Sequence, residues 1–370
     1  MKRVGSSEIC MLTTNNIPRY KDSTIPGPLL VRSDMRSTWQ DLDALDFDHA
    51  ADRIVQAHER DGEAIDLPVL SLGTYAVVPT NGHFGLASLV KKDPMPLRAT
   101  AFGNLMTRLG APTDFVRDRL PAPLQVAAIN WLLQKDEKSS SATLRLRGNE
   151  VAAIVSDRYA AFDAEPLFQV VRDVLDQQQL LDQVEVKSVA SGVVDVMRLV
   201  FPARQAAVKV GDVSALGLDI SSSSFGKSAI HVRALIWRLR CTNGLRVAER
   251  MGTASFRHVG DVDRIKASLA EAIPSALAYA DGTLDRWKAA VHVMVHDVKR
   301  MIADLRDLTV SERELVVQEV KREAGVPALP ERADLYSLLN GITAAAHHAA
   351  PSRRLELESL AGELLHERTS

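Results

Sequence analysis

Arginine is well suited to gripping phosphate, because its planar fork of N–H donors can engage two oxygens at once. Six arginines and one lysine fall within 31 residues near the middle of the chain: Lys227, Arg233, Arg238, Arg240, Arg246, Arg250 and Arg257, with Glu249 as the only acid. This segment carries +6 against −8 for the rest of the chain, which has a net charge of −2. Side chains alternate along an extended strand, so Arg238 and Arg240 share one face while Leu235, Trp237, Leu239 and Cys241 share the other. Such a strand can bury its apolar side and present two guanidinium groups. Arg246, on a hairpin partner across Asn243-Gly244, would add a third. With Tyr159, Phe225 and Phe256 nearby, a track of this kind fits single-stranded nucleic acid, whose backbone follows cations and whose bases stack on aromatic rings. Trp237 reads as core. The competing readings are a solvated face whose arginines pair with acids brought close by the fold, and a docking surface for an acidic protein partner.

Other chemistry-bearing patterns are incomplete. Gly226-Lys227-Ser228 ends a segment resembling a phosphate-cradling loop, but Ser221 stands where that loop needs its first glycine. The Ile230–Cys241 run that follows favours a strand, not the required helix. A nucleotide-using enzyme built around Lys227 is therefore a lesser alternative. His292 and His296 have the four-residue spacing of a helical zinc pair but no third ligand nearby. His347-His348 is read the same way. No Gly-x-Ser-x-Gly elbow occurs, Cys241 has no nucleophile context, and no two carboxylates stand apart as an acid–base pair. No catalytic residue, metal or cofactor is expected.

The surrounding pattern indicates what would position the basic segment. Residues 1–37 are polar, rich in Pro, Ser and Thr, and read as an extended arm. A mixed subdomain follows over 38–135. Within it, a helix spans Asp48–Arg60 before Gly62, a hairpin within Leu67–Ser88 turns at Asn81-Gly82, and Leu97–Gln134 forms proline-interrupted helices. Asp136–Ser141 reads as a linker. A β-rich core over 142–260 holds strands at Thr143–Leu146, Val151–Ser156, Val184–Ala190, Val194–Phe201, Leu216–Ser221 and Ile230–Cys241, with a helix from Pro166 to Gln179. The region 261–370 is helical. There, Ala280, Leu284, Trp287, Val291, Met294, Val298, Met301 and Leu305 repeat at alternating steps of four and three, the seam of a helix packed on another helix or a partner chain. Ser311 with Glu314 reads as a capping box. The expected fold is α+β: a mainly antiparallel β core with flanking helices and a C-terminal helical region.

Several landmarks in order resemble the phage- and plasmid-like family of domain of unknown function 932. Arg158-Tyr159 follows a strand ending Val155-Ser156-Asp157. Ser222–Ala229 leads into Arg238-Leu239-Arg240-Cys241-Thr242-Asn243-Gly244, which is similar to the family's Arg-x-x-Cys-x-Asn-Gly stretch. Phe256-Arg257-His258, Asn340-Gly341-Ile342-Thr343 and Arg353-Arg354-Leu355-Glu356 complete the match over roughly residues 97–365. Ser221–Ser224 departs from the family's Asn-Ser-His-Asp-Gly pattern. The resemblance implies a mobile-element setting and names no reaction.

Hydrophobic content of 46% and charged content of 25% are those of a globular chain with a sizeable core. Two cysteines 231 positions apart, no signal peptide and no membrane-length apolar run point to a reducing, cytoplasmic setting without membrane contact. The expectation is a nucleic-acid-binding protein of a phage, plasmid or integrated element. It would act in single-strand binding or annealing during recombination, through the seven basic residues, as a homo-oligomer. The alternative is a non-enzymatic regulatory protein whose arginines dock an acidic partner.

Overall fold

The computed structural model describes residues 28–88, 93–135, 141–209, 212–238, 244–246 and 253–369. In chain order the elements are β1 (Thr38–Leu45), α1 (Phe47–Asp61), β2 (Ala64–Val69), β3 (Tyr75–Thr80), β4 (His83–Ser88), β5 (Met95–Pro96), α2 (Ala99–Arg108), α3 (Thr113–Arg119), α4 (Ala122–Lys135), β6 (Ala142–Arg147) and β7 (Glu150–Ser156). They continue as α5 (Ala164–Gln177), β8 (Glu185–Ser191), β9 (Asp195–Lys209), β10 (Asp212–Ser222), β11 (Ile230–Arg238), β12 (Gly244–Arg246) and β13 (Thr253–Phe256). The last are α6 (Val262–Ala289), β14 (Met294–Val295), α7 (Val298–Asp304), α8 (Val310–Ala324), β15 (Ala333–Asp334), α9 (Leu335–His347) and α10 (Pro351–Thr369). All paired strands are antiparallel, and the fold is α+β.

The chain forms two compact units that do not follow its linear segments. One comprises residues up to Ser33 and Ala64–Asp157; the other comprises Asp34–Glu63 and everything from Arg158 onward. In the first, the sheets β2-β6-β7 and β3-β4-β5 pack with α2, α3 and α4 around Phe84, Phe102, Leu105, Ile129 and Leu144. Its β3–β4 hairpin turns at Asn81 (φ 49°) and Gly82 (φ 78°), the left-handed pair that a two-residue turn between twisted strands requires. The Asn130 amide brackets Val77, donating to its carbonyl at 2.8 Å and accepting from its N–H at 2.7 Å, which ties α4 to the sheet.

The second unit is built on a seven-stranded sheet, β1-β8-β9-β10-β11, with β12 and β13 both pairing β11. One face carries Met197, Leu199, Phe201, Leu218, Ile220, Ile230 and Val232, which are buried with apolar residues of α1, α5 and α6. Asp46 starts α1 by accepting the His49 N–H at 3.0 Å. The opposite face bears a polar row running directly across four strands: Ser188, Arg198, Asp219 and Arg233 are register partners in turn. Arg198 is fully buried between Asp219, at 3.2 Å, and Glu358 of α10, while Arg354 one turn earlier reaches Asp41 and Glu358.

The C-terminal region corrects two expectations. The apolar repeat from Ala280 to Leu305 is not one helix, because α6 ends at Ala289 and a turn and β14 intervene before α7. Ala280, Leu284, Trp287, Val298 and Leu305 are buried in the chain's own second core with Leu216 and Ile236. Two elements bent toward the same core reproduce the repeat of one straight seam. His292 and His296 consequently lie off any helix. The capping box is also displaced: Thr309 accepts from Glu312 N at 3.3 Å, and Glu312 accepts from Thr309 N at 2.8 Å.

Candidate nucleic-acid interface

Strand register gathers distant parts of the chain at one end of the large sheet. There Thr38 pairs with Ser191, Asp195 with Ser222, and Ile230 with Phe256. The β8–β9 turn, the β10–β11 loop and the residues after β13 therefore lie side by side. A backbone bridge from Tyr159 to Val259, and hydrogen bonds from Ala160 N to His258 O (3.0 Å) and from Gly260 N to Arg158 O (3.3 Å), add the segment around Arg158.

Ser223 organises the β10–β11 loop. Its hydroxyl donates to Val193 O at 2.6 Å and accepts from Phe225 N at 3.2 Å and Lys227 N at 3.1 Å, while Gly226 N bonds Ser223 O at 3.3 Å. A phosphate cradle needs these amides free to converge on the anion. Here the loop consumes them internally, so its likeness to a phosphate-binding loop is confined to residue letters.

Beneath the loop lie two buried polar pairs. His58 of α1 sets Nε2 2.8 Å from both carboxylate oxygens of Asp195, which also accepts from Gly192 N at 3.3 Å. Burial raises the Asp195 carboxyl above its ordinary pKa, opposed by its hydrogen bond with His58. The Ser222 hydroxyl lies 3.2 Å from His258 Nε2, and Tyr159 stacks on His258 with ring centroids 5.2 Å apart. Tyr159 OH donates to Ser223 O at 3.3 Å. Asp195 orients His58, whereas Ser222 bonds His258. The pairs thus do not align as the acid–histidine–serine relay of a nucleophilic hydrolase. They tie α1 and the segments around Gly192, Tyr159 and His258 to the base of the β10–β11 loop.

Above this floor, Arg158, Lys227 and Arg257 are exposed. None of the three has an ion-pair partner among the described residues. They form a cationic rim beside the half-buried Tyr159 ring.

The seven basic residues identified from sequence are divided by the structure. Lys227 and Arg257 stand on the rim. Arg233 and Arg238 do not offer their charges to solvent: each is 5% exposed. Arg233 donates to Ser221 Oγ at 2.9 Å and lies 3.6 Å from Asp219. Arg238 is held by Asp212 at 2.5 Å and Glu323 at 3.1 Å. Burial alone would lower the pKa of the Arg238 guanidinium, but Asp212 and Glu323 outweigh that effect and hold it above its usual value. The reason for the correction is cross-strand pairing, since Asp219 is the register neighbour of both Arg198 and Arg233. Arg240 and Arg250 lie outside the described residues, as do Cys10, Cys241 and the linker over 136–140. For Arg246 only the backbone is described, and it pairs with Leu235.

Sequence reasoning did not select Arg158 as a site residue, and it missed a groove at the same sheet end. That groove, of about 510 Å³, lies between α1 and edge strand β1 and is lined in part by Arg36, Arg53 and Arg60. Arg53 and Arg60 have the seven-residue spacing of one helix face, a readable signal. Their partner strand was not readable, because β1 begins directly after the polar arm.

The family model of a domain of unknown function (DUF932) matches residues 151–363, more than half of the chain, and the protein belongs to that family. No curated protein and no solved structure matches it. Among the described residues no helix is long and apolar enough to cross a membrane.

Proposed function

We propose that this chain binds single-stranded nucleic acid through the rim of Arg158, Lys227 and Arg257, in the setting of a phage, plasmid or integrated element that the family resemblance implies. One observation carries the reading: three exposed cations from three separated segments meet at one sheet end, with no carboxylate neutralising them among the described residues. Arginines placed to hold the fold are paired in this protein, as Arg198, Arg233, Arg238, Arg353 and Arg354 are. Cations left without an ion-pair partner among the described residues suit an external polyanion. The half-buried Tyr159 ring, packed on His258, lies beside them, and an aromatic side chain next to a cationic track suits a single strand, whose bases are unpaired.

The test is fluorescence anisotropy with a labelled single strand and its duplex. Lys227→Ala with Arg257→Ala should weaken single-strand binding at least tenfold, whereas Arg300→Ala, on an exposed helix elsewhere, should change it less than twofold. Absence of oligonucleotide binding together with stoichiometric capture of an acidic protein, lost in the same double variant, would replace this reading with a protein-docking one.

A further inference from the structure

The groove between α1 and β1 differs in kind from the rim. Thr38 and Gln40 alternate along β1 and face it, Arg36 lines it from the segment before β1, and Arg53, Gln56 and Arg60 face it from α1. Arg53 and Arg60 are two helical turns apart, about 10 Å along the axis, so their long side chains can reach a common point. Gln40 Oε1 accepts from Arg53 Nη1 at 3.3 Å, directing that guanidinium across the groove. All three arginines are exposed, and none has an ion-pair partner among the described residues. Among the described residues, the only carboxylate in the lining is Asp61. The floor is apolar, with Ile54 and Val189.

Size and charge together indicate the ligand. At about 510 Å³ the groove falls within the roughly 300–1,000 Å³ typical of small-molecule sites. A phosphodiester link carries a single negative charge. A terminal phosphate or a pyrophosphate carries two or more on closely spaced oxygens, the arrangement that several unpaired guanidinium forks bind best. The amides of Gln40 and Gln56 add hydrogen-bonding groups suited to a sugar or a base edge, while the Thr38 and Ser191 hydroxyls bond each other at 3.0 Å at the end of the groove.

We infer that this groove binds the multiply charged phosphate group of a nucleotide, either free or at the 5′ end of a strand. The inference goes beyond the rim reading and does not depend on it, because none of Arg158, Lys227 and Arg257 lines the groove.

Isothermal titration of the full chain with inorganic pyrophosphate, a nucleoside 5′-diphosphate and the unphosphorylated nucleoside tests it. Pyrophosphate and the diphosphate should each saturate one site per chain, and the nucleoside should not bind. Arg53→Ala and Arg60→Ala, at exposed helix positions, should each weaken binding about tenfold or more, the effect of one charge-assisted hydrogen bond. Lys227→Ala should leave it within twofold. Competition with 5′-phosphorylated and 5′-hydroxyl oligonucleotides separates the two sources. Displacement by the phosphorylated strand alone assigns a strand end, and displacement by neither assigns a free nucleotide. No saturable pyrophosphate binding, or binding indifferent to Arg53→Ala and Arg60→Ala, would overturn the inference. Pyrophosphate binding without oligonucleotide binding would leave it standing and remove the rim reading instead.

Discussion

Replacing Arg238 with alanine separates a structural arginine from a binding one. The guanidinium lies 2.5 Å from Asp212 and 3.1 Å from Glu323. The Tyr336 hydroxyl also donates to Asp212 at 2.5 Å, and its ring lies 5.6 Å from the guanidinium carbon. Asp212 is 3% exposed, so removing Arg238 strands a carboxylate away from water. Breaking one side of a buried pair costs about 3–5 kcal/mol, most of it from the charge left behind. At roughly 2–4 °C per kcal/mol for a unit of this size, the melting temperature should fall by about 6–20 °C. The assay is thermal and urea unfolding followed by circular dichroism, with Arg300→Ala as the control. Arg300 and Asp304 are 3.6 Å apart, with side chains 78% and 70% exposed, and such a pair is worth at most about 1 kcal/mol. Oligonucleotide affinity of Arg238→Ala, measured at a temperature where it remains folded, should stay within twofold of the parent. A melting shift under 2 °C combined with a fivefold or greater loss of affinity would instead place Arg238 at the ligand.

Two glycines should respond in opposite directions. A Cβ on Gly217 would lie 2.2 Å from the Leu199 carbonyl oxygen, so Gly217→Ala should force β9 and β10 apart and cost at least ~1–3 kcal/mol by urea denaturation. Gly282 lies inside α6 with open space around its Cβ position, and Gly282→Ala should stabilise by roughly 0.5–1 kcal/mol. Burial, followed by the nearby Arg354 and Arg198 charges, pushes the His347 pKa down to about 4, although Asp41 and Glu358 pull the other way. A depressed histidine pKa favours the fold while the ring is neutral. Its contribution is thus complete above the unfolded value near 6.5 and is lost as pH falls toward 4. Urea unfolding from pH 7 to pH 4 should show a shallower loss of stability in His347→Gln than in the parent; parallel curves would contradict this assignment.

Local signals in the chain were strong wherever geometry is set by neighbours in sequence. Asn81-Gly82 marks its hairpin, Gly62 closes α1, Ser191-Gly192 marks the turn between β8 and β9, and strand alternation places Trp237 in the core. Long-range pairing was not legible. Nothing within Lys227–Arg257 reveals that Asp212, Asp219 and Glu323 would claim Arg238 and Arg233, because those acids arrive by strand register and from α8. The same limit hid the groove, whose two walls are β1 and α1. It also made two elements separated by a turn look like one seam from Ala280 to Leu305. Lys227 and Arg257 differ from Arg233 and Arg238 in lying outside the strands, where both are exposed and neither has an ion-pair partner among the described residues.

The salt dependence of single-strand affinity counts the phosphates that the rim neutralises. Each phosphate contact contributes about −0.7 to the slope of log K against log salt for single strands. If Arg158, Lys227 and Arg257 each neutralise one phosphate, replacing all three with alanine should reduce the magnitude of the slope by roughly 2. An unchanged slope in that triple variant, or no measurable binding by the parent protein at low salt, would mean that the rim does not bind single-stranded nucleic acid.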